Sequence, residues 1–566
     1  MNNVIPDCHI VLAYDDIYDD YSTIDPKILI EGIPTIPLLR YVVRCQNEIM
    51  YAVSDLTTQR RMLVEISRYL PKDLKNKVRL FLRRHRKTIY MTVDTALLMY
   101  SLALSNFREM NADDDCLELC EDEMSKTFKA IMYCNKKWLD IGYGHQTPLS
   151  ETIKNDNMGL AKISLRLDLP ISEFKYYKNF KTQLYKAIKY FQFCENDLTF
   201  RAYLPFFCSD HNANNWKEYL LRLFSFFEAS LKSMDIRIDS SNRDIISFFN
   251  QYAIDVADSA LKTICNLENG VSYLRNHFVL KYSDNLFFLL NANLLVDKIY
   301  QGLKFDFYQT ITAHNLLSPQ GKKYKLLPEF NSVLGDLFSE TYLLYPLLQK
   351  CFCDKGILLQ GKFLHEIIGE GEPDSYLRVN ENLFIFEFKD LTLGDNVKFS
   401  QNADTINNEI LKRLCCDEVD HTGTRKRKGG GQLLATINEI VNGHDYNDID
   451  DITSVKRIFP IIITTDPAFS SLGVNAIVID EFIKIKLRNK YDFGRYFVSN
   501  PVIIEFDTLL DMSFWLSTGR ITLDKVLDDY ITSNGLNLNS FKNFMADNYF
   551  IKKKCKPPIK DDCYGS

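Results

Sequence analysis

The sequence predicts a large α-helical N-terminal domain over residues 1–320, an α/β domain over residues 321–515, and a C-terminal helix with a basic tail over residues 516–566. Three observations carry this prediction. Apolar residues recur three and four apart through most of residues 40–315, the spacing of one helix face. Pro, Gly and Lys gather in SPQGKKYKLLPEF (Ser318–Phe330), as they do between folded segments. Beyond it, short apolar runs bounded by turn residues alternate with helical patterns, an α/β order.

Composition narrows the class. A chain of 566 residues exceeds what one core serves, so two or three domains are expected. With 46% hydrophobic and 25% charged residues, 31 Tyr and 38 Phe, the chain reads as folded. A net charge of −6 excludes a polycation, yet leaves room for local basic patches. The 14 cysteines are scattered, and MNNVIPDCHIVLAYDDIYDD lacks a basic stretch followed by an apolar one. A reducing cytoplasm with free thiols is the expected setting. Apolar runs break well short of the ~20 residues a membrane span needs, so no membrane partner is expected.

In chain order, WKEYLLRLFSFFEASLKSM (Trp216–Met234) and DIISFFNQYAIDVADSALKTI (Asp244–Ile264) read as amphipathic helices, and no period of 30 to 45 residues recurs. After the boundary come a helix over Val333–Leu348 and the strand-like runs KGILLQGKF, DSYLRV and NLFIFEFK. A polar stretch leads to a helix over Gln432–Val441, then strands at Ile458–Thr465 and Pro501–Phe506. A helix over Thr522–Met545 precedes the tail IKKKCKPPIK.

The hairpin GEPDSYLRVNENLFIFEFKDL (Gly371–Leu391) concentrates the chemistry. Strand side chains alternate, so Glu387 and Lys389 share a face while Phe384, Phe386 and Phe388 take the other. A two-residue loop at Asn380 and Glu381 pairs Val379 with Asn382 and puts Asp374 opposite Glu387. A four-residue loop keeps that pairing; a three-residue loop without a bulge turns Asp374 away. Two such carboxylates repel and resist desolvation unless one is protonated or a cation neutralises both. Mg²⁺ suits oxygen ligands of this kind. The Lys389 ammonium would activate water or stabilise charge developing on phosphorus.

Pro373-Asp374, thirteen residues before Glu387-Phe388-Lys389, resembles the signature of the PD-(D/E)xK nuclease superfamily. The resemblance covers about residues 329–510 and implies a restriction-endonuclease-like αβββαβ core with a mixed central sheet. It implies metal binding by Asp374, Glu387 and the backbone carbonyl of Phe388, with Lys389 positioning water. Glu340, placed beside Val333 and Leu344 by helical geometry, resembles the extra acid that many members carry on the first helix. It would complete the catalytic and metal-binding cluster. Gln432, beside the apolar face of its helix with Thr436, resembles the glutamine of RecB-like members and would contact substrate. Arg425, Lys426, Arg427 and Lys428 in TRKRKGGG would meet a nucleic-acid backbone.

The implied activity is Mg²⁺- or Mn²⁺-dependent hydrolysis of DNA phosphodiesters, with RNA as the other substrate class. The alternative is an inactive fold of the same type serving as a nucleic-acid or protein scaffold. A nuclease joined to a helical module resembles restriction or phage-defence effectors. The helical half would then meet a regulatory protein or a phage-derived trigger, and self-association stays open.

Other motifs read more plainly. KGILLQGKF has P-loop spacing at Gly356, Gly361 and Lys362, but Phe363 stands where that motif needs Ser or Thr. Cys351, Cys353, Cys415, Cys416 and His421 contain no Cys-x2-Cys pair, so idle thiols are expected instead of zinc. KDLKNKVRLFLRRHRK (Lys72–Lys87) reads as a solvated cationic helix face, with nucleic-acid contact as the alternative.

Overall fold

The structure, a computed structural model, describes residues 10–50, 56–109, 117–143, 157–175, 178–255, 267–369, 371–400, 402–419, 424–442, 446, 449–533 and 538–550. His421 and the basic tail lie outside the described residues. The chain divides into two compact units. One comprises Met1–His145, Glu173–Ala187 and Ala202–His314; the other comprises Gln146–Ser172, Ile188–Arg201 and Asn315–Ser566. The last break falls close to the expected boundary, but residues 146–172 and 188–201 join the second unit. The helix Asn157–Asp168 shows why: Ala161 and Leu165 are buried in that unit's core. A helical period reveals that a face needs burial, not which core buries it.

The first unit is mainly helical. Its helices include Thr35–Met50, Leu56–Ser67, Lys72–Arg84, Val93–Ser105 and Trp216–Lys232. The last starts where the Asn215 side chain accepts the Glu218 N–H at 3.1 Å, and it buries Trp216, Tyr219, Leu220, Leu223, Phe226 and Phe227. This is the stripe its sequence predicts. The unit also holds strands that were not expected. β1 (Ile10–Val11) pairs in parallel with β2 (Thr88–Ile89). β3 (Asp235–Arg237), β4 (Ala253–Ile254), β5 (Val279–Ser283) and β6 (Leu286–Leu289) form a sheet in the order β3-β6-β5-β4. The helix expected over Asp244–Ile264 spans only Arg243–Asn250 before the chain enters β4; residues 256–266 lie outside the described set. Phe226 stacks on Phe249 at 4.0 Å. Apolar runs this short look alike in a buried strand and a buried helix.

The second unit is built on a mixed sheet, as expected. β7 (Ile357–Gln360), β8 (Ser375–Val379) and β9 (Asn382–Lys389) form an antiparallel meander, and β12 (Arg457–Thr464) runs parallel to β9. β13 (Phe497–Val498) and β14 (Val502–Glu505) both pair in parallel with β12. A separate antiparallel ribbon joins β10 (Cys415–Val419) to β11 (Arg425–Gly429). The upstream helix runs as Leu327–Leu334, a wider π turn Gly335–Leu344, and Tyr345–Phe352. The run KGILLQGKF is half strand: from Gly361 it becomes the helix Gly361–Ile368. The stretch read as merely polar holds the helix Ala403–Leu414 and the ribbon.

Both faces of this sheet are covered. Leu383, Ile385, Ile458 and Ile462 meet Ile406 and Ile410 of Ala403–Leu414, and Leu433, Leu434, Ile437 and Ile440 of the helix Gly430–Asn442. On the other face Phe384 stacks on Phe459 at 5.1 Å and Phe388 meets Phe506 edge-on at 6.1 Å. Sheets with parallel strands are buried on both sides. On the hairpin's charged face Glu387 is buried, while Asp374 and Lys389 keep intermediate exposure. Among the described residues no helix is long and apolar enough to cross a membrane.

Gly429, Gly430 and Gly431 let the ribbon turn directly into the helix Gly430–Asn442. Gly429 has φ +53°, and a Cβ there would lie 2.0 Å from the Leu414 carbonyl oxygen; one on Gly431 would lie 2.1 Å from that of Cys416. Only glycine fits both demands. Gly429→Ala is expected to destabilise the protein by about 2 kcal/mol or more through overpacking and left-handed strain, read as a lower urea midpoint with an unchanged m-value.

Candidate active site

The hairpin closes with the two-residue loop. Val379 pairs with Asn382 and Ser375 with Phe386, and Asn380 takes the positive φ of 52° that such a tight turn requires. Asp374 immediately precedes β8, and its Oδ2 accepts the Phe388 N–H at 2.5 Å. This places it on the face of Glu387. The sequence-derived register is therefore the one found.

The Pro373-Asp374 segment is held from two sides. Gly361 N–H donates to the Asp374 carbonyl at 2.9 Å, and a Cβ on Gly361 would stand 2.7 Å from the Pro373 carbonyl oxygen. Gly361 serves close packing under Asp374. Thr436 Oγ1 donates to the Gly371 carbonyl at 2.9 Å, tying the incoming loop to the helix Gly430–Asn442.

Glu387 is 1% exposed. Its Oε1 takes an ion pair from Lys389 Nζ, while its Oε2 is buried with no hydrogen-bond partner among the described residues. Burial, then repulsion by Asp374, pushes the Glu387 carboxyl from 4.5 up to about 8, against the pull of Lys389. Burial likewise raises Asp374, offset in part by Lys389 and the Phe388 N–H. Burial opposes the Lys389 ammonium, but the charges of Glu387, Asp374 and Glu340 outweigh it and hold its pKa above the ordinary lysine value. Glu340 thus reaches the cluster through its field, from the π turn of the upstream helix.

β9 and β12 run parallel, with Glu387 beside Ile462 and Lys389 beside Thr464. The cluster lies at the carboxyl ends of this pair, where ligands gather in α/β sheets. Thr464 Oγ1 is also buried without a hydrogen-bond partner among the described residues. Just beyond, Asp390 accepts hydrogen bonds from Ser339 and, at 2.5 Å, from Thr465 Oγ1. Sequence reading passed over Asp390 and Ser339. Asp390 directly follows Lys389, a position that marks it as a candidate; Ser339 carries no local signal.

Gln432 is half-buried on its helix, one turn before Thr436. The basic segment forms β11. Arg425 donates to Asp417 through two bonds of 2.6 Å, and Arg427 lies 3.5 Å from the same carboxylate. These two arginines are spent on an internal acid whose pKa stays low, its burial outweighed by hydrogen bonds from Arg425 and Asn489. Lys426 and Lys428, alternating with them, are exposed. Cys415 is buried and Cys416 turns towards the Lys426 carbonyl, both as free thiols.

Among the described residues no three His, Cys, Asp or Glu side chains form a ready metal-binding group. The cluster offers two carboxylates, Asp374 and Glu387, and one orphaned buried oxygen. Mg²⁺ keeps several waters and takes one or two carboxylates, so the donor set fits such an ion. Glu340 adds its negative charge to the field around this pair. The Phe388 N–H is engaged by Asp374. Comparisons with protein families, curated proteins and solved structures return no match to this chain.

Proposed function

We propose that the second unit is a divalent-metal-dependent phosphodiesterase acting on DNA, with a restriction-endonuclease-like core. The observation that supports this most is the convergence of Asp374, Glu387 and Lys389 on one buried face within the field of Glu340, with Glu387 Oε2 left unbonded. The helix before β7, the meander, the helix Gly430–Asn442 and β12 follow the αβββαβ order, with Ala403–Leu414 and the ribbon inserted before the second helix.

Asp374 and Glu387 would hold Mg²⁺ or Mn²⁺. When bound, such an ion supplies charge neutralisation and acidification of water. The Phe388 N–H orients Asp374. Lys389, kept protonated by its acidic neighbours, acts as a cation that stabilises charge developing on the phosphate, not as a base. Gln432, Lys426 and Lys428 would contact substrate. The helical unit would receive the trigger of a cytoplasmic restriction or phage-defence effector, a role that rests on architecture alone.

Plasmid, linear and single-stranded DNA and RNA, incubated with Mg²⁺, Mn²⁺ or EDTA, provide the test. Wild type is expected to cut DNA with either metal and not in EDTA, and Asp374→Ala to be inactive. Equal cutting by Asp374→Ala removes the site assignment. Absence of cleavage together with no calorimetric heat on metal addition supports the scaffold reading, which the Lys389–Glu387 pair favours because it already neutralises one carboxylate.

A further inference from the structure

A second charged site lies in the first unit. The helix Leu56–Ser67 contributes Arg60 and Val64, and the helix Lys72–Arg84 with its following turn contributes Arg79, Leu82, Arg83 and Arg86, to the walls of a cavity of about 630 Å³. Four exposed arginines line this space, and among the described residues no acid does. The nearby carboxylates Glu48 and Glu65 are engaged by Arg61 instead. Arg79 and Arg83, one helical turn apart, repel each other. On a chain of net charge −6, these exposed arginines form a local patch of positive potential that attracts anions.

We propose that this cavity binds the phosphate backbone of a nucleic-acid strand. Guanidinium groups grip phosphate bidentately, and four of them exceed what one phosphate can satisfy. The volume falls within the ~300–1,000 Å³ typical of sites for whole ligands. Val64, 44% exposed, and Leu82 add apolar surface on which a sugar or base can rest. The site stands independently of the Glu387 cluster: it requires neither metal nor cleavage.

The test is fluorescence anisotropy of the full chain with a labelled single-stranded oligonucleotide in EDTA, across a salt series. Arg79→Gln/Arg83→Gln and Arg60→Ala/Arg86→Ala are expected to weaken binding about tenfold or more and to flatten the salt dependence by about 0.7 for each phosphate left unneutralised. Circular dichroism checks that each variant is folded; the two pairs are independent, so one folded pair suffices. Arg237→Glu/Arg243→Glu, a larger charge change on exposed residues of the same unit, controls for bulk charge. Unchanged affinity and slope in the cavity variants, or equal weakening in the control, overturns the proposal. Displacement of the oligonucleotide by stoichiometric nucleoside triphosphate or inorganic phosphate also overturns it, since the ligand is then a small anion.

Discussion

Replacing Lys389 by alanine is expected to lower the rate of DNA cleavage by about 10³-fold while the protein remains folded. The magnitude follows from removing one preorganised charge aimed at the transition state, typically worth about 10²–10³, together with the water-positioning role. Folding survives because Glu387, whose pKa stands at about 8 even with Lys389 present, already carries a proton at neutral pH and needs no ion pair to stay buried. Lys389→Arg keeps the charge but alters its shape, so partial activity is expected there. Single-turnover cleavage in Mg²⁺ reads both variants. A Lys389→Ala protein that cuts at the wild-type rate excludes Lys389 from the chemistry.

The second large effect is on stability in the absence of metal. Glu387 titrates at 4.5 when unperturbed and at about 8 in the fold, chiefly because burial penalises its charge. Between these values the folded state keeps a proton that the unfolded chain has released. Stability from this group is therefore full below about pH 4.5 and is lost as pH rises towards 8. At about 1.4 kcal/mol per pH unit, the loss from pH 5 to pH 8 is of the order of 3 kcal/mol. Asp374, also raised, adds in the same direction. Carboxylates held low, such as Asp417, act below this window. Glu387→Gln is expected to flatten the fall and to be more stable than wild type at pH 8, as read by urea midpoints. An equal fall in wild type and Glu387→Gln assigns it to other groups. Mg²⁺ is expected to restore wild-type stability at pH 8 and not that of the variant, because a cation that replaces the proton favours the fold.

How legible the site was varied with the range of the interactions. The hairpin could be read closely: period-two alternation and turn length are local rules that put Asp374 on the face of Glu387 for a two- or four-residue loop and turn it away for a three-residue one; the fold has the two-residue turn. The strands at β8, β9, β12 and β14 stood out as apolar runs between turn residues. The helix Ala403–Leu414 and the strands β3–β6 did not, because an insertion or a short buried run has no distinctive period. The triple glycine was visible, but its cause, the approach of the Leu414 and Cys416 carbonyls, is a long-range contact.

Depth and charge required the tertiary structure. Alternation places Glu387 on a face but not at a depth; packing of helices over both faces of the sheet buries it and drives its pKa upward. Arg425 and Arg427 looked like a basic patch, yet Asp417 on the neighbouring strand claims them. The helix at Lys72–Arg84 is the solvated cationic face expected of it, with Val78 alone buried, but only the fold sets Arg60 from another helix beside it. The sequence by itself determined which residues share a strand face or a helix face, since that depends on backbone period alone. Which faces are buried, which charges find partners and which segments share a unit depended on contacts between residues far apart in the chain, and these only the folded structure decided.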